Sequence, residues 1–390
     1  MRVLVVTPWV PGPMRPRSLY LIERLAAEHE VTLVAATWST EDERALESVP
    51  VHRRVGVRVG RLGGLARAGL AVWSRRSLQE AYVGSVRLRR TVQRVAEDTK
   101  PDAVMCNVLR TAGLADVTGA RIRLIDLDEF RSEYYAQMAD RGTTSLRRLL
   151  GHVESGRMAR RERSIVSSFD AVLVSSAADL RPEAPNVHLV RSVHALSGST
   201  DPGRRGGDGP DGPTVAFVGR MSYGANHDAA CWFIDRVWPL LRQAHPGIRL
   251  EVVGDAPRRA LRRRSADDVR IRGRVPTVAP YYRAAQVVVV PVRMATGVQM
   301  KMIEAMSLGV PTVVSPVVAR GAGVEHLRET LVADLPSEWA AHVSRLISDP
   351  RTAAEIADRA RDWHARQHGR DAVSNQLRAA LASVDGWAAG

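Results

Sequence analysis

Residues 296–309 read Thr-Gly-Val-Gln-Met-Lys-Met-Ile-Glu-Ala-Met-Ser-Leu-Gly and lie between two short apolar runs, 287–291 and 311–315. A segment of helix length between two such runs predicts a parallel strand–helix–strand unit. At about 100° per residue, one side of the helix faces the core and carries Val298, Met302, Ala305 and Met306. The other side carries Gly297, Lys301, Glu304 and Leu308. The fold expected from this unit is α/β.

The polar side of this helix predicts a site for a nucleotide sugar. An anion at the helix start would meet backbone N–H groups at Gly297 and Val298, with the Lys301 ammonium one turn further along. Glu304 offers a hydrogen-bond acceptor for hydroxyl groups. A nucleoside diphosphate-sugar needs donors for its diphosphate and an acceptor for its ribose. The alternative is an ordinary Lys–Glu surface pair, worth roughly 0.2 to 0.5 kcal/mol.

The presence of lysine rather than arginine at position 301 favours the binding site. The chain has 56 Lys plus Arg, yet lysine occurs only at positions 100 and 301. A composition that uses arginine almost everywhere has kept a compact ammonium at position 301, which differs chemically from a planar guanidinium.

The bulk composition describes an ordinary globular protein. With 390 residues, 45% hydrophobic and 25% charged, the chain is long enough for two or three domains. We see neither an apolar run of membrane-spanning length nor a signal peptide at the start, so we expect a cytoplasmic protein. The only cysteines, Cys106 and Cys231, exclude a Cys-rich zinc site and predict no disulfide framework.

A net charge of +14 is typical of proteins that bind an anionic partner, such as nucleic acid, anionic lipid or a phosphorylated substrate. Aromatic residues make up only 5%, and we find no nucleic-acid-binding motif, so we do not expect nucleic acid. The densest basic tract, 51–94, has eleven arginines and one acid, Glu80. This tract predicts peripheral contact with an anionic membrane, at the inner face of the cell membrane. The alternative is a set of solvated arginine-rich faces.

Repeated strand–helix units organise the chain into two doubly wound parallel sheets. We expect strands at 2–7, 29–36, 102–106, 121–126, 170–175 and 187–190, and then at 214–220, 250–255, 269–275 and 286–292. Between the two sets, residues 197–213 are rich in Gly, Pro and Asp and predict a flexible linker.

Two segments at strand ends of the first half predict an acceptor site, because open α/β sheets bind ligands at the carboxyl ends of their strands. The Pro-rich loop 8–17 leads into a helix that we expect at 19–28. The acidic segment 126–129 follows another strand. Its carboxylates can take a proton from an acceptor hydroxyl or bind sugar hydroxyls. They can equally cap the following helix, which we expect at 129–139.

The second half resembles the donor domain of retaining glycosyltransferase family 4, most closely the sugar transferases of bacterial exopolysaccharide and sorting-linked clusters. The resemblance rests on several motifs in the right order. These are Phe217-Val218-Gly219-Arg220-Met221-Ser222-Tyr223, Asn226-His227-Asp228, Trp232-Phe233 and Gly297 to Met306.

The resemblance implies a GT-B fold, with two Rossmann-like domains that face each other across a cleft. It divides the chain into an acceptor domain 1–196, the linker 197–213, a donor domain 214–366 and a last segment 367–390 whose helix returns to the first domain. It implies catalytic roles for Arg220, Lys301 and Asp128. The implied donor-binding residues are Gly219, Arg220, Asn226, Gly254, Arg274, Val275, Thr296, Gly297, Val298, Gln299, Lys301 and Glu304. The implied acceptor-binding residues are Gly12, Arg17, Asp128 and Glu129.

The sequence departs from the family pattern at three places. A lysine that many members carry shortly after the arginine of the first donor strand is replaced here by Gly224-Ala225-Asn226. The first of two glutamates that many members have eight positions apart is Thr296 here. The element before the linker is Arg191-Ser192-Val193-His194-Ala195, where the family usually has Pro-Asn-Gly-Val-Asp.

The predicted function is transfer of a sugar from a nucleoside diphosphate donor to a hydroxyl of a glycan, a lipid-linked intermediate or a small natural product. We expect retention of the anomeric configuration and neither metal nor cofactor, since Arg220 and Lys301 supply the positive charge. Two rivals remain: a nucleotide-sugar epimerase of the same fold, and a degenerate transferase that serves as a binding partner.

Overall fold

The computed structural model describes residues 1–60, 63–64, 78–141, 144–194, 196, 212–255 and 259–387. The chain falls into two units: the N-terminal unit, Met1–Ala195 with Arg370–Gly390, and the C-terminal unit, Leu196–Gly369. Among the described residues, no helix is both long enough and apolar enough to cross a membrane.

The N-terminal unit is built on a parallel sheet with the strand order β3-β2-β1-β4-β5-β6-β7. The strands are β1 (Arg2–Thr7), β2 (Glu30–Thr37), β3 (Arg53–Arg58), β4 (Ala103–Asn107), β5 (Ile122–Asp128), β6 (Ala171–Val174) and β7 (Val187–Leu189). Its described α-helices are α1 (Pro16–Glu28), α2 (Thr40–Glu47), α3 (Leu78–Val83), α4 (Val86–Thr99), α5 (Arg131–Arg141), α6 (Ser145–Ser168) and α15 (Arg370–Ala382). Short 3-10 helices span Leu109–Val117 and Ala177–Asp179.

Both faces of this sheet are covered, which explains why its strands are almost continuously apolar. Leu4 and Val6 point to the face that packs against α4, whereas Val3 and Val5 point to the face that packs against α1 and α15. The last helix of the chain thus contributes Leu377 and Leu381 to the core of the N-terminal unit.

The C-terminal unit repeats the plan with the parallel order β10-β9-β8-β11-β12-β13. The strands are β8 (Thr214–Val218), β9 (Arg249–Val253), β10 (Val269–Gly273), β11 (Val287–Val290), β12 (Thr312–Val314) and β13 (Leu331–Val332). The described helices are α7 (Gly224–Arg236), α8 (Trp238–Ala244), α9 (Arg259–Arg262), α10 (Ala279–Ala284), α11 (Met300–Ser307), α12 (Pro316–Ala322), α13 (Pro336–Ser348) and α14 (Pro350–His368).

The unit predicted from residues 287–315 is present as β11, α11 and β12. Met302, Ala305 and Met306 of α11 are fully buried, as the helical spacing predicted. The predicted start of the helix is wrong, however. Gly297 has a left-handed backbone, φ +66°, and the helix begins only at Met300. Val298 therefore lies in the loop before the helix.

Strand β3 and the start of helix α1 differ from the sequence predictions. Strand β3 lies inside the basic tract 51–94 and was missed, because its residues Arg53-Arg54-Val55-Gly56-Val57-Arg58 carry three arginines and a glycine. Much of that tract, and almost all of the predicted linker 197–213, lies outside the described residues. Helix α1 begins at Pro16 rather than after Ser18, so Arg17 belongs to its first turn.

Candidate functional site

Glycine backbones pack closely at the carboxyl ends of the central strands of the C-terminal unit. Gly219 follows β8, and its N–H donates to Val253 O at 2.9 Å. Gly254 follows β9 with φ +153°, and a Cβ there would lie 1.8 Å from Gly219 O. Its N–H donates to Gly273 O at 2.9 Å. Only glycine fits at position 254, and a ligand can approach the backbone closely at this edge of the sheet.

Lys301 reaches the same edge from α11. Its Cε would lie 3.1 Å from a Cβ placed on Gly219, and its Nζ donates to Gln299 Oε1 at 2.8 Å. Burial lowers the pKa of Lys301 to about 8, although the charge of Glu304 acts in the opposite direction. The ammonium is therefore held against the glycine backbone of β8, where it can meet an anion.

The loop before α11 changes the expected anion contacts. Gln299 is the N-cap residue and makes no side-chain capping bond, and Met302 N–H donates to Gln299 O at 2.9 Å. The N–H groups at the helix start are thus those of Met300 and Lys301, not those of Gly297 and Val298. The loop packs tightly, since a Cβ on Gly321 would lie 2.4 Å from Gly297 O. Thr296, at the start of this loop, is half-buried.

Glu304 is fixed by a residue that the sequence analysis did not identify. The hydroxyl of Tyr282, which is fully buried on α10, donates to Glu304 Oε2 at 2.8 Å. Burial raises the pKa of Glu304, while the hydrogen bond from Tyr282 and the charge of Lys301 lower it. The pKa of Tyr282 lies well above its usual value, through burial and then through the charge of Glu304.

Asn226 and Arg220 complete the group around Gly219. Asn226 Nδ2 donates to Arg220 O at 3.0 Å, and its buried Oδ1 has no hydrogen-bond partner among the described residues. The Arg220 side chain is more than half exposed, and its Nε lies 3.8 Å from Asp255 Oδ2. The guanidinium is therefore only loosely held and can turn toward a ligand.

Arg274 and Val275 follow β10 at the same edge of the sheet. The Arg274 side chain is exposed, whereas Val275 packs against the hydrophobic core. The predicted donor residues thus lie in the segments that follow four neighbouring strands, β10, β9, β8 and β11, and in α7 and α11 beyond them.

In the N-terminal unit, Arg17 makes a buried ion pair with Asp126. Its Nε and one terminal nitrogen lie 2.9 and 2.6 Å from Asp126 Oδ1, and the other terminal nitrogen donates to Val190 O at 2.5 Å. Asn107 Nδ2 donates to Asp126 Oδ2 at 3.0 Å. Burial lowers the pKa of Arg17, but the charges of Asp126 and Asp128 outweigh it and raise that pKa overall. Through these contacts the guanidinium of Arg17 holds α1 against β5.

Asp128 ends β5 with an unusual backbone. Its φ is +67°, the register with β6 shifts between Asp126 and Asp128, and its side chain is 47% exposed. A left-handed residue other than glycine costs of order 1–3 kcal/mol, and such residues are enriched at active sites and ligand contacts. The alternative that the acidic segment caps the next helix stays open, but a residue outside that segment also caps this helix. The start of α5 is capped by Glu162, whose Oε1 accepts from Arg131 N and Ser132 N at 2.7 and 3.0 Å.

Two other predicted acceptor residues, Glu129 and Gly12, make contacts with residues close to them in sequence. Glu129 pairs with Arg131 at 2.5 Å. Gly12 is half-buried, and its carbonyl accepts from Arg15 N at 2.8 Å. The buried carboxyl of Asp179 was missed by the sequence analysis. Burial, and then the charge of Glu129, raises the pKa of Asp179 to about 8.

The chain is similar to known proteins in sequence and in fold. Residues 212–349 match the family model described as glycosyl transferases group 1. No curated protein sequence matches the chain.

Several solved structures are similar over nearly the whole length. Sucrose-phosphate synthase from Thermosynechococcus elongatus is 17% identical with a TM-score of 0.69, and the match covers 97% of this chain and 98% of that one. HepE from Anabaena in complex with UDP-glucose is 15% identical with a TM-score of 0.64, covering 98% and 100%. A putative UDP-N-acetylglucosamine 2-epimerase from Listeria monocytogenes is 13% identical with a TM-score of 0.58, covering 98% and 96%.

The two parallel sheets and these similarities confirm the predicted GT-B fold. The family match over the C-terminal unit supports the prediction that the chain is a glycosyltransferase.

Proposed function

We propose that the protein is a retaining glycosyltransferase that binds a nucleoside diphosphate-sugar at the carboxyl edge of the C-terminal sheet. The observation that carries this proposal is the position of Lys301, whose side chain packs against Gly219 within reach of both a glycine backbone and Glu304. Few ligands need a cation, close backbone approach and a carboxylate in one place. A nucleoside diphosphate-sugar needs all three.

The diphosphate is the group that Lys301 and Arg220 would hold. Negative charge grows on the diphosphate as the bond between the sugar C1 and its oxygen breaks. Fixed donors for such charge often contribute more to catalysis than any other feature of a site, and removal of one costs about 2.7 to 4 kcal/mol. The N–H groups of Met300 and Lys301 at the start of α11 add to this charge stabilisation. With this charge supplied by the protein, we propose that transfer is independent of metal.

Glu304 would bind the ribose. Tyr282 holds one carboxylate oxygen, and the other, Oε1, makes no hydrogen bond within the described part of the chain. A ribose hydroxyl can donate to it. The backbone around Arg274 and Val275 would lie beside the base.

The acceptor hydroxyl would be oriented by Asp128 in the N-terminal unit. Its oxygen forms the new bond to C1 on the face from which the diphosphate leaves, and its proton passes to the leaving diphosphate. Asp128 positions the hydroxyl in this scheme and need not act as a strong base. Arg17 and Asp126 serve to hold the strand end that carries Asp128.

The epimerase is the second candidate, because the Listeria protein named above shares the fold. Product analysis separates the two reactions: a transferase moves the sugar to an acceptor or to water, whereas an epimerase leaves it on the nucleotide.

The test is release of nucleotide from a panel of UDP-, GDP-, dTDP- and ADP-sugars, with and without EDTA. UDP-glucose is the first donor to try, since HepE was solved with it. We expect slow hydrolysis of one donor that is insensitive to EDTA and is lost in Lys301→Ala. Lys100→Ala is the matched control, because it removes the only other lysine. Equal activity of the two variants would refute the role of Lys301, and absence of both turnover and nucleotide binding would favour the degenerate transferase that serves as a binding partner.

A further inference from the structure

The exposed face of helix α6 changes along its length from apolar to basic. Leu146, Leu149, Leu150 and Val153 are 74%, 61%, 40% and 43% exposed. Their spacing of three and four residues places them on one side of the helix. The same spacing continues through Arg157, Arg160 and Arg161. Arg160 is exposed, whereas the side chains of Arg157 and Arg161 are 12% and 28% exposed and pair with acids.

The exposed surface of α6 carries no acid. The helix has two carboxylates, Glu154 and Glu162, and each is only 1% exposed. Glu154 is paired with Arg157 at 3.1 Å, and Glu162 caps α5. Arg148, Arg160 and Arg163 are exposed. Both carboxylates of α6 are thus directed inward, and the charge that it presents to solvent is positive.

The arginines of α6 also line a cavity of about 760 Å³ in the N-terminal unit. Arg89 and Arg110 join Arg157, Arg160 and Arg161 there, facing Glu80 and Asp116. Arg161 pairs with Glu80 at 2.8 Å, while Asp116 also pairs with Arg123 at 3.2 Å. Positive charge therefore exceeds negative charge in the cavity. Burial and then the charge of Arg131 lower the pKa of Arg110.

We propose that this face of the N-terminal unit docks on an anionic phospholipid bilayer, with the leucine stripe of α6 in the interface and lipid phosphates at the arginine-lined cavity. Large apolar side chains beside arginines, on a helix whose own acids are buried, favour contact with the apolar and anionic parts of a lipid surface. A nucleic acid would match the arginines but leave the four apolar side chains without a partner. Arg89, which lines the cavity, belongs to the basic tract 51–94, for which the sequence predicts membrane contact. Helix α6 lies outside that tract and adds a second part to the same basic surface.

The experiment is sedimentation of the full-length protein with vesicles. One set mixes phosphatidylglycerol with phosphatidylcholine, and the other contains phosphatidylcholine alone. We expect the protein to sediment with the anionic vesicles only, and less so at high salt, which screens exposed charges. Sedimentation with both sets alike, or with neither, would overturn the proposal.

Variants locate the surface. Leu146→Ser with Leu150→Ser should abolish sedimentation, and Arg160→Glu should weaken it at least about fivefold, the usual contribution of one basic residue near anionic lipid. The matched controls lie in the C-terminal unit: Leu240→Ser with Leu335→Ser, which are 40% and 59% exposed, and Arg351→Glu, which is 91% exposed. The controls should sediment as the unchanged protein does.

Two further measurements test whether the leucine variant is folded and whether the protein self-associates. Thermal unfolding should be the same in the leucine variant as in the unchanged protein, because the replaced side chains are exposed. Gel filtration at several concentrations tests whether a second copy covers the stripe. A dimer that the leucine variant abolishes, or normal sedimentation of that variant, would refute membrane docking.

Discussion

The hydroxyl of Tyr282 and the carboxylate of Glu304 are joined by a hydrogen bond of 2.8 Å that links α10 to α11. Tyr282 is fully buried, so the bond is shielded from water and fixes the direction of the carboxylate. A ligand that meets Glu304 therefore meets an acceptor that is already oriented, and less conformational freedom is lost on binding.

Replacement of Tyr282 by Phe should weaken binding of the nucleotide and raise the pKa of Glu304 further. The lost hydrogen bond stabilised the charged form of Glu304, and burial disfavours that form. The free energy of unfolding should fall by about 0.5–1.5 kcal/mol. Calorimetric titration with nucleotide at several pH values, together with urea unfolding, measures both effects. Tyr281→Phe is the control, because its neighbouring ring makes no such bond to Glu304, and equal losses in the two variants would contradict this role.

Binding of the diphosphate should weaken as the pH rises through about 8. Lys301 has a pKa of about 8, so it carries its charge below this pH and loses it above. Affinity should then fall up to about tenfold per pH unit. The guanidinium of Lys301→Arg stays charged over this range, so this variant should bind with a flat pH profile. The measurement is nucleotide affinity from about pH 6 to pH 10. A flat profile in the unchanged protein would show that Lys301 does not contact the diphosphate.

The main features of the fold follow from sequence pattern. The apolar runs of β1 and β11 are buried on both faces, and Met302, Ala305 and Met306 face the core at helical spacing. Strand β3 did not follow, because a parallel edge strand rich in arginine has no apolar run to reveal it. Periodicity also placed the start of α11 too early. Gly297 has a left-handed backbone and its carbonyl lies close to Gly321, which is distant in sequence, and helical periodicity reveals neither feature.

The candidate site was predictable as a set of residues but not as a set of contacts. Gly219, Lys301 and Glu304 belong to motifs that can be read directly. Tyr282 supplies its hydroxyl from a separate helix, and no local pattern connects it with Glu304. Likewise, the sequence marks Arg17 as a loop residue near an acceptor. Only the fold shows that Asp126, 109 positions away, engages its guanidinium.

Replacement of Gly254 by Ala should destabilise the C-terminal unit strongly. The new Cβ would lie 1.8 Å from Gly219 O, so the strand ends of β8 and β9 would have to separate. Gly247→Ala is the control for backbone strain alone, since its φ is +84° and no atom lies within 4 Å of the new Cβ. We expect a cost of about 1–3 kcal/mol for the control and a larger one for Gly254→Ala, measured by urea unfolding. Equal costs would show that the close approach of the two glycines is unimportant.

Replacement of Asp128 by Gly should separate stability from activity. Glycine adopts the φ of +67° more easily, which stabilises the variant, whereas loss of the ion pair between Asp128 Oδ1 and Arg17 Nε, 3.5 Å apart, destabilises it. The free energy of unfolding should therefore change by less than about 1 kcal/mol. Transfer to an acceptor should fall, because the variant lacks the carboxylate that we propose orients the hydroxyl. Asp128→Asn tolerates the same backbone without the charge, and its transfer should fall as well.

Lys100→Gly is the matched control for this experiment. Lys100 also has a left-handed backbone, φ 45°, at the end of α4, so it should gain stability with no change in transfer. Urea unfolding and a transfer assay, with the donor that the nucleotide-sugar panel identifies, give the two quantities. If both Asp128 variants transfer sugar at the unchanged rate, the strained backbone of β5 has a purely structural origin and the acceptor is oriented elsewhere.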